Sequence, residues 1–346
     1  MPVPMNNEAP LVTIRCLVYN HAPYLRQCLD GFVKQKTNFR FEALIHDDAS
    51  TDGSADIIRE YAEKYPDIII PLIETENLYS KQDGSFTRSM NLLTRGKYVA
   101  FCEGDDYWSD TGKLQEQVDF LEGHPDYSAI FGTAKVVSEN GNTILGTYPQ
   151  GLNKSTLELA DLLKRNWVQT CTVMYRWRFY SAPAYEEVLV PGIIPGDWMM
   201  LLAHAQTGKV YYEKNRVWGC YRRHKGSMWK GAGAEDSFYV RNGIGHLIFY
   251  THAENLFGAR FEQEKRNMME DVIFAALNTG NVELLKKAQN QFPELYTDVI
   301  ALWSKANRSE KSFVLALRMA TTMKKNRSAY KFFRLIYNLF CIFTKN

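Results

Sequence analysis

The stretch YVAFCEGDDYW, Tyr98–Trp108, runs an apolar segment directly into three acidic residues and then two aromatic residues. Its first part has the composition of a buried strand, and Glu103, Asp105 and Asp106 follow where that strand would end. Carboxylates held this close repel one another, and burying them without partners is costly. They are therefore expected either to surround a cation or to lie in a solvated turn.

The residues around this stretch alternate between two patterns. Strand-like segments such as LVTIRCLVY, FEALIHDD and IIIPLIE are separated by helical patterns such as APYLRQCLDGFVKQ, SADIIREYAEKY and KLQEQVDFLEG. This alternation predicts an α/β fold with a mainly parallel twisted sheet and helices on both faces. From residue 238 onward each periodic segment has a helical pattern. We expect a tail at 1–10, an α/β domain at 11–225, a flexible Gly-rich loop at 226–237 that could act as a lid or a linker, and a helical region at 238–346.

Composition narrows the class of protein. The 346 residues are 45% apolar and 23% charged with a net charge of +2, which is typical of a folded protein and gives no reason to expect nucleic-acid binding. The six cysteines form no C-x-x-C pair, which favours buried thiols in a reducing compartment. No signal pattern and no apolar run of about 18 residues is present, so a cytoplasmic protein is expected.

The segment 311–346 stands apart because it has eight basic residues and no acidic ones, and it ends in the aromatic-rich YKFFRLIYNLFCIF. This pattern is typical of a helix lying on a membrane surface. The alternative is a helix packed on its own domain with a solvated basic face. The complete lack of acids favours membrane contact.

Polar residues gather where the predicted strands end, at Tyr19–Asn20, Asp47–Asp48 and 103–106. Parallel sheets bind ligands beyond the carboxyl ends of their strands, so we expect a site there. Each pattern has a simpler explanation when taken alone. The acids of IHDDASTDGS are common turn residues, and Asp197 in PGDWMMLLAH could cap a helix or serve as a general base. The acid-x-acid pattern of CEGDD suits Mg²⁺ or Mn²⁺.

Taken together and in order, these motifs are more specific. The stretches VYN, HDDASTDGS, TRSMN, GKYVAFCEGDDYW, GDW and YRRH, between residues 11 and 224, resemble the family-2 inverting glycosyltransferases of the GT-A fold, in particular the bacterial branch that builds surface polysaccharides. The resemblance implies a sugar transferred from a nucleotide-diphosphate donor, with UDP favoured, to a hydroxyl of a glycan or polyprenyl-linked acceptor.

The resemblance also implies roles for donor-binding residues. Tyr19 would stack on the nucleotide base, and Asp48, with Asp47 beside it, would hydrogen-bond that base. Arg88 would reach the nucleotide or its diphosphate, and Asp106 would contact sugar or ribose hydroxyls.

The resemblance further implies a metal site and a catalytic base. Asp105 takes the place of the last acid of the D-x-D metal motif, for Mn²⁺ or Mg²⁺. Glu103 replaces the first Asp, and its longer side chain could ligate through water. Asp197 would be the base. His224 would contact the diphosphate or the metal, or it could be a surface histidine.

Two tryptophans are also candidates for the site. Trp108 and Trp198 would form flat walls for sugar rings, or they could belong to the core.

A nucleotidyltransferase could share the sheet and the acids, but the sequence has no Gly-rich phosphate loop with a lysine near its first strand. A non-catalytic sugar-nucleotide-binding protein would not need both Asp105 and Asp197.

Overall fold

The computed structural model describes residues 9–81, 83–224 and 235–306. These residues form two compact units. The first contains the described residues up to Pro191 and those from Gly196 to His224, and the second contains 192–195 and 235–306. The bounds of the helices and strands follow in chain order.

The strands of the first unit belong to one sheet. They are β1 (Val12–Val18), β2 (Phe41–Asp47), β3 (Ile69–Ile73), β4 (Tyr98–Phe101), β5 (Tyr107–Trp108), β6 (Tyr127–Val137), β7 (Ile144–Tyr148), β8 (Thr156–Leu157), β9 (Met174–Arg176) and β10 (Lys209–Arg222). The helices of this unit are α1 (Ala22–Val33), α2 (Ser54–Lys64), α3 (Ser85–Leu93), α4 (Lys113–Gly123), α5 (Leu159–Lys164), α6 (Ala182–Val188) and α7 (Gly196–Ala205).

The strand order is β3-β2-β1-β4-β9-β6-β10-β5, with β7 paired to β6 and β8 paired to β10. The predicted α/β class is confirmed, and β3, β2, β1 and β4 are parallel as expected. The rest of the sheet is mixed, because β9 lies antiparallel between β4 and β6, and β5, β7 and β8 are antiparallel to their neighbours. Hydrophobic periodicity does not encode strand direction, so the sequence could not predict this.

The sheet is covered on both faces, which explains the near-continuous apolar character of its central strands. On β1, Val12, Ile14, Cys16 and Val18 are buried in the main core, which also contains side chains of α1, α2 and α4. The alternate residues face the other side of the sheet, where α3, α6 and α7 supply the facing side chains. The thiols of Cys16, Cys28, Cys102, Cys171 and Cys220 are free and buried, as expected. Cys341 lies outside the described residues.

The second unit contains α8 (Glu235–Phe257), α9 (Glu262–Thr279), α10 (Val282–Gln291) and α11 (Pro293–Ala306). Its core includes Leu247, Val272 and Leu285. A Cβ at Gly243 would lie 2.2 Å from a methyl carbon of Val272, so glycine allows α8 and α9 to pack closely. Residues 235–237, expected in the flexible loop, form the start of α8. The rest of that loop, the tail 311–346 and most of 1–10 lie outside the described residues.

No helix in the described part of the chain has both the length and the apolar character needed to cross a bilayer. The expected membrane contact of the tail at 311–346 is not tested by this finding, because that tail is not among the described residues.

Candidate active site

The loops that follow β1 and β2 are tied to each other. Asn20 has a positive φ of 56°. Its backbone N–H donates to Oγ of Ser50 at 2.8 Å, and its side-chain oxygen accepts from the N–H of Thr51 at 2.8 Å. Because β1 lies between β2 and β4, the chain leaves the sheet here at a topological switch point, where α/β proteins commonly bind ligands.

The two acids at the end of β2 differ in what their oxygens bind. Asp48 accepts the backbone N–H groups of Leu78 at 2.7 Å and Tyr79 at 3.1 Å, so its carboxylate anchors the loop after β3. Asp47 accepts from Ser50 through Oδ2, while its buried Oδ1 has no hydrogen-bond partner among the described residues. Tyr19 is 49% exposed beside them, which leaves its ring free to stack on a planar group.

Asp105 and His224 meet at the other side of the switch point. Oδ2 of Asp105 lies 2.9 Å from Nε2 of His224 and 3.9 Å from Nε2 of His21. Burial opposes ionisation of Asp105, but the hydrogen bond from His224 and the charge of His21 outweigh it and lower the pKa of this carboxyl. Burial lowers the pKa of His21 in spite of the nearby Asp105 carboxylate. The two side chains are therefore electrostatically linked, since the charge of each shifts the pKa of the other.

The donor atoms at this position fit a divalent cation. Carboxylate oxygen and imidazole nitrogen are both ligands of Mn²⁺, and cations of nucleotide-dependent enzymes commonly take only one or two protein ligands and complete their shell with phosphate oxygens and water. Within residues 9–81, 83–224 and 235–306, no three His, Cys, Asp or Glu side chains form a closed cage. The pair of Asp105 and His224 therefore suits a metal that is shared with a substrate.

Asp106 is held inside the protein. Its side chain is 3% exposed, and Oδ1 accepts the backbone N–H of Arg222 at 2.9 Å. The buried guanidinium of Arg222 donates to the backbone oxygen of Asp105 at 2.9 Å, to that of Glu139 at 2.8 Å and to the side chain of Gln27 at 2.6 Å. Asp106 thus fixes the acidic loop 103–106 to β10, and its contact with sugar or ribose hydroxyls stays a prediction.

Gly104 allows the acidic loop to lie against the start of α1. A Cβ at this position would lie 2.9 Å from Cγ2 of Val18 and 3.0 Å from Nδ1 of His21. Any larger residue would push the loop outward and move Asp105 away from the imidazole of His224.

Asp197 and Glu103 line one cavity of about 150 Å³. Asp197 lies in the first turn of α7, and its Oδ2 accepts from the hydroxyl of Thr170 at 3.1 Å. The side chain is exposed at the cavity wall, but the protein atoms around it displace part of its water and raise the pKa of the carboxyl. A raised pKa makes an Asp carboxylate a stronger base.

Glu103 is only partly buried, but its surroundings disfavour its charge. Burial, followed by the charges of Asp105 and Asp197, raises the pKa of Glu103 to about 8. A hydrogen bond from its own backbone N–H opposes this shift without reversing it. Glu103 thus faces the same cavity as Asp197. Asp105 and His224 are the two side chains best arranged to bind a metal ion.

Arg88 and the two tryptophans have partners within the protein. Arg88, on α3, donates to Glu186 of α6 at 3.1 Å. Trp198 is partly buried and donates its indole N–H to the backbone oxygen of Leu162 at 2.9 Å. Trp108 is 4% exposed and donates to the backbone oxygen of Cys171 at 2.7 Å. Trp108 belongs to the core, which is one of the two alternatives expected for it.

Sequence reasoning missed several residues of this site. His21 follows the VYN motif directly, and that adjacency was the available signal. Arg222 lies within the YRRH motif, but only His224 of that motif was given a role, and Thr170 gave no signal until the fold brought it to Asp197.

Comparisons with known proteins concern the family and the fold of this chain. A model of the family described as Glycosyl transferase family 2 matches residues 16–182. The putative teichuronic acid biosynthesis glycosyltransferase TuaG of Bacillus subtilis is 34% identical over 255 residues, which cover 71% of this chain and 92% of TuaG. The chain belongs to glycosyl transferase family 2.

Another sequence relative and one solved structure are also similar to this family-2 chain. The uncharacterized protein Rv1520 of Mycobacterium tuberculosis is 35% identical over 223 residues, 64% of this chain, and the match spans only 61% of Rv1520. The crystal structure of TarS residues 1–349 of S. aureus, in complex with UDP-GlcNAc, has a TM-score of 0.53 at 16% identity and covers 95% of this chain and 91% of TarS 1–349. At that identity the likeness concerns the fold, and it confirms the expected GT-A architecture of this family-2 chain.

Proposed function

We propose that this protein transfers a sugar from a nucleotide-diphosphate donor to a hydroxyl group of a glycan or lipid-linked acceptor during surface polysaccharide synthesis, with inversion at the anomeric carbon. One observation carries the proposal. A paired carboxylate and imidazole, Asp105 and His224, and a carboxylate of raised pKa, Asp197, lie in the same unit of a family-2 chain. The first suits a metal-bound diphosphate and the second suits an attacking hydroxyl.

The nucleotide would bind over the ends of β1 and β2. The exposed ring of Tyr19 would stack on the base, and Oδ1 of Asp47, which lacks a partner within the described residues, would accept a hydrogen bond from it. Asp48 would support the base indirectly, because its carboxylate anchors the loop that begins after β3. UDP is the favoured nucleotide, since TarS has been solved with UDP-GlcNAc and the relative WfaP of Escherichia coli is named as an enzyme that uses UDP-Glc.

Asp105 and His224 would hold a Mn²⁺ or Mg²⁺ ion, with Glu103 as a further ligand through water. When bound, such a cation neutralises the negative charge that develops on a departing diphosphate. Arg222 and Asp106 would keep the acidic loop in place, since they connect it to β10, to the loop after β6 and to α1. Arg88 could reach the diphosphate only by leaving Glu186.

Asp197 would accept the proton of the acceptor hydroxyl as that oxygen attacks the anomeric carbon. The hydroxyl of Thr170 donates to the carboxylate and orients it. Attack from the face opposite the diphosphate in a single displacement inverts the configuration. A carboxylate serves here because the attacking hydroxyl becomes acidic only as the new bond forms.

We also propose that the protein acts in the cytoplasm, with the tail 311–346 resting on the inner face of the membrane, next to a polyprenyl-linked acceptor. The basic and aromatic composition of that tail supports this, as does the name of WfaP, a glucosyltransferase that acts on a diphosphoundecaprenol-linked sugar. A variant that ends at Met323 should lose its sedimentation with membranes. Undiminished sedimentation would contradict membrane contact through the tail.

Thermal unfolding with nucleotides tests the central proposal. UDP, GDP and dTDP would each be added with and without Mn²⁺, and a ligand present at about 100 times its Kd should add about 2.7 kcal/mol of stability. We expect a Mn²⁺-dependent increase in melting temperature with UDP that Asp105→Ala abolishes. If no nucleotide raises the melting temperature in the presence of Mn²⁺, the proposed donor class is wrong.

A further inference from the structure

The cavity that holds Asp197 also contains an arginine that the proposed mechanism does not use. Arg15 lies in the middle of β1, between two strands, and is 4% exposed. Its neighbours on the cavity wall are mostly apolar and include Leu17, Phe86, Phe101 and Met200. A leucine or valine would satisfy this position in the strand, so the charge calls for a physical explanation.

The guanidinium of Arg15 is enclosed by aromatic rings. Its Cζ lies 5.5 Å from the ring centre of Phe101 and 5.4 Å from those of Trp177 and Tyr185. The face of an aromatic ring attracts a cation, but it does not accept the hydrogen bonds that a guanidinium donates in its own plane. The enclosure therefore fixes the group in position without satisfying its N–H donors.

Most donors of Arg15 have no partner among the described residues. Nη2 donates to the hydroxyl of Tyr185 at 3.3 Å, whereas Nε and Nη1 are buried without a hydrogen bond to any residue that the structure describes. No carboxylate of residues 9–81, 83–224 or 235–306 forms an ion pair with this side chain, although Arg95, on the same unit, pairs with the buried Glu42. A buried charge without a counter-ion is unfavourable, and a bound anion would remove that penalty.

We infer that this cavity binds the carboxylate group of a sugar acid, with Arg15 as its counter-ion. Guanidinium groups bind carboxylates through charge-assisted hydrogen bonds that are both strong and directional. The bound group should belong to a reacting sugar because Asp197, the proposed base, lines the same cavity. The aromatic wall offers flat surfaces to the C–H faces of a pyranose ring. This inference rests on the proposed function and specifies its substrate class as hexuronates.

The carboxylate could belong to the donor or to the acceptor, and two binding experiments on the full-length protein with Mn²⁺ separate these cases. The first compares UDP-glucuronate with UDP-glucose. The second compares methyl β-D-glucuronide with methyl β-D-glucoside in the presence of UDP. We expect the acid to bind about tenfold more tightly than its neutral counterpart in one of the two experiments. Arg15→Met should reduce that ratio to about one and leave UDP binding unchanged.

Arg95→Met is a matched control. It removes a guanidinium from the same unit and leaves Glu42 buried without its partner, so it should lower the melting temperature, but it does not touch the cavity. Its preference for the acid should equal that of the wild type. Loss of the preference in Arg95→Met as well would overturn a specific role for Arg15.

The remaining outcomes separate this inference from the function on which it rests. UDP binding without a preference for either acid, or a preference that persists in Arg15→Met, would overturn the inference and leave the glycosyltransferase proposal intact. Arg15 would then serve only to hold its three aromatic neighbours. Failure of the wild type to bind UDP would overturn the proposed function, and the inference with it.

Discussion

The two ends of the candidate site differ in whether their polar groups already have partners within the protein. In the acidic loop 103–106, Asp105 and Asp106 each have a partner: one lies against His224 and the other accepts from the backbone of Arg222. In the cavity, by contrast, the Nε and Nη1 donors of Arg15 have no partner among the described residues. The first end is ordered before any ligand arrives, whereas the second has groups that a ligand would complete. Variants at each end should therefore fail in different ways.

The largest effect is expected at Asp197. Asp197→Asn keeps the shape and the bond to Thr170 but removes the base, so UDP release in the presence of acceptor should fall by about 10²- to 10⁴-fold with nucleotide binding intact. Steady-state release of UDP measures this. Thr170→Val is the control, because it removes one hydrogen bond and leaves the carboxylate. A rate unaffected by Asp197→Asn would exclude Asp197 as the base.

The opposite failure is expected at the acidic loop. Asp105→Ala should abolish Mn²⁺-dependent binding of UDP, because it removes the carboxylate that is paired with His224. Calorimetric titration with and without Mn²⁺ measures this, and Asp119→Ala, an exposed acid on α4, should behave as the wild type. Tight Mn²⁺-dependent binding in Asp105→Ala would mean that the two ends of the site are not specialised as we describe.

A third variant concerns Trp108, a core residue that follows the acidic loop in the chain. Trp108 packs against Phe32 with ring centres 4.8 Å apart and is 4% exposed. Trp108→Ala should lower the free energy of unfolding by about 3–5 kcal/mol through loss of burial and formation of a cavity. Denaturant unfolding measures this, and Trp198→Ala, at a partly buried position, should cost less. Equal losses of unfolding free energy in the two variants would mean that Trp108 and Trp198 contribute equally to the core.

The last effect concerns the dependence of stability on pH. Lys113 is fully buried, its Nζ lies 4.2 Å from the ring centre of Trp108, and burial lowers its pKa from 10.5 to about 7. Between these pH values the unfolded chain binds more protons than the folded one, so stability should rise as the pH increases from about 7 to about 10.5. Lys113→Met should reduce this slope in denaturant unfolding measured across the range. An unchanged slope would assign the pH dependence to other groups.

The sequence predicted those parts of the molecule that depend on neighbours along the chain. The alternating patterns predicted the parallel strands β1 to β4, and the position of Asp105 and His224 in separate motifs predicted that each would lie at the site. It could not predict the direction of β9 or the burial of Trp108, because both depend on how distant segments pack. The aromatic surroundings of Arg15 were equally invisible, since Phe101, Trp177 and Tyr185 come from three separate segments.

The contacts of Arg222 have a consequence for the kinetics of ligand exchange. One guanidinium links the backbone of the acidic loop, the backbone at Glu139 and the side chain of Gln27, and His224 follows only two residues later in the chain. The carboxylate and the imidazole therefore share one anchor, and neither can swing away while that anchor holds. Conformational entropy is lost during folding and not at each binding event. A cation should thus enter and leave by exchanging water, without a preceding rearrangement of the chain.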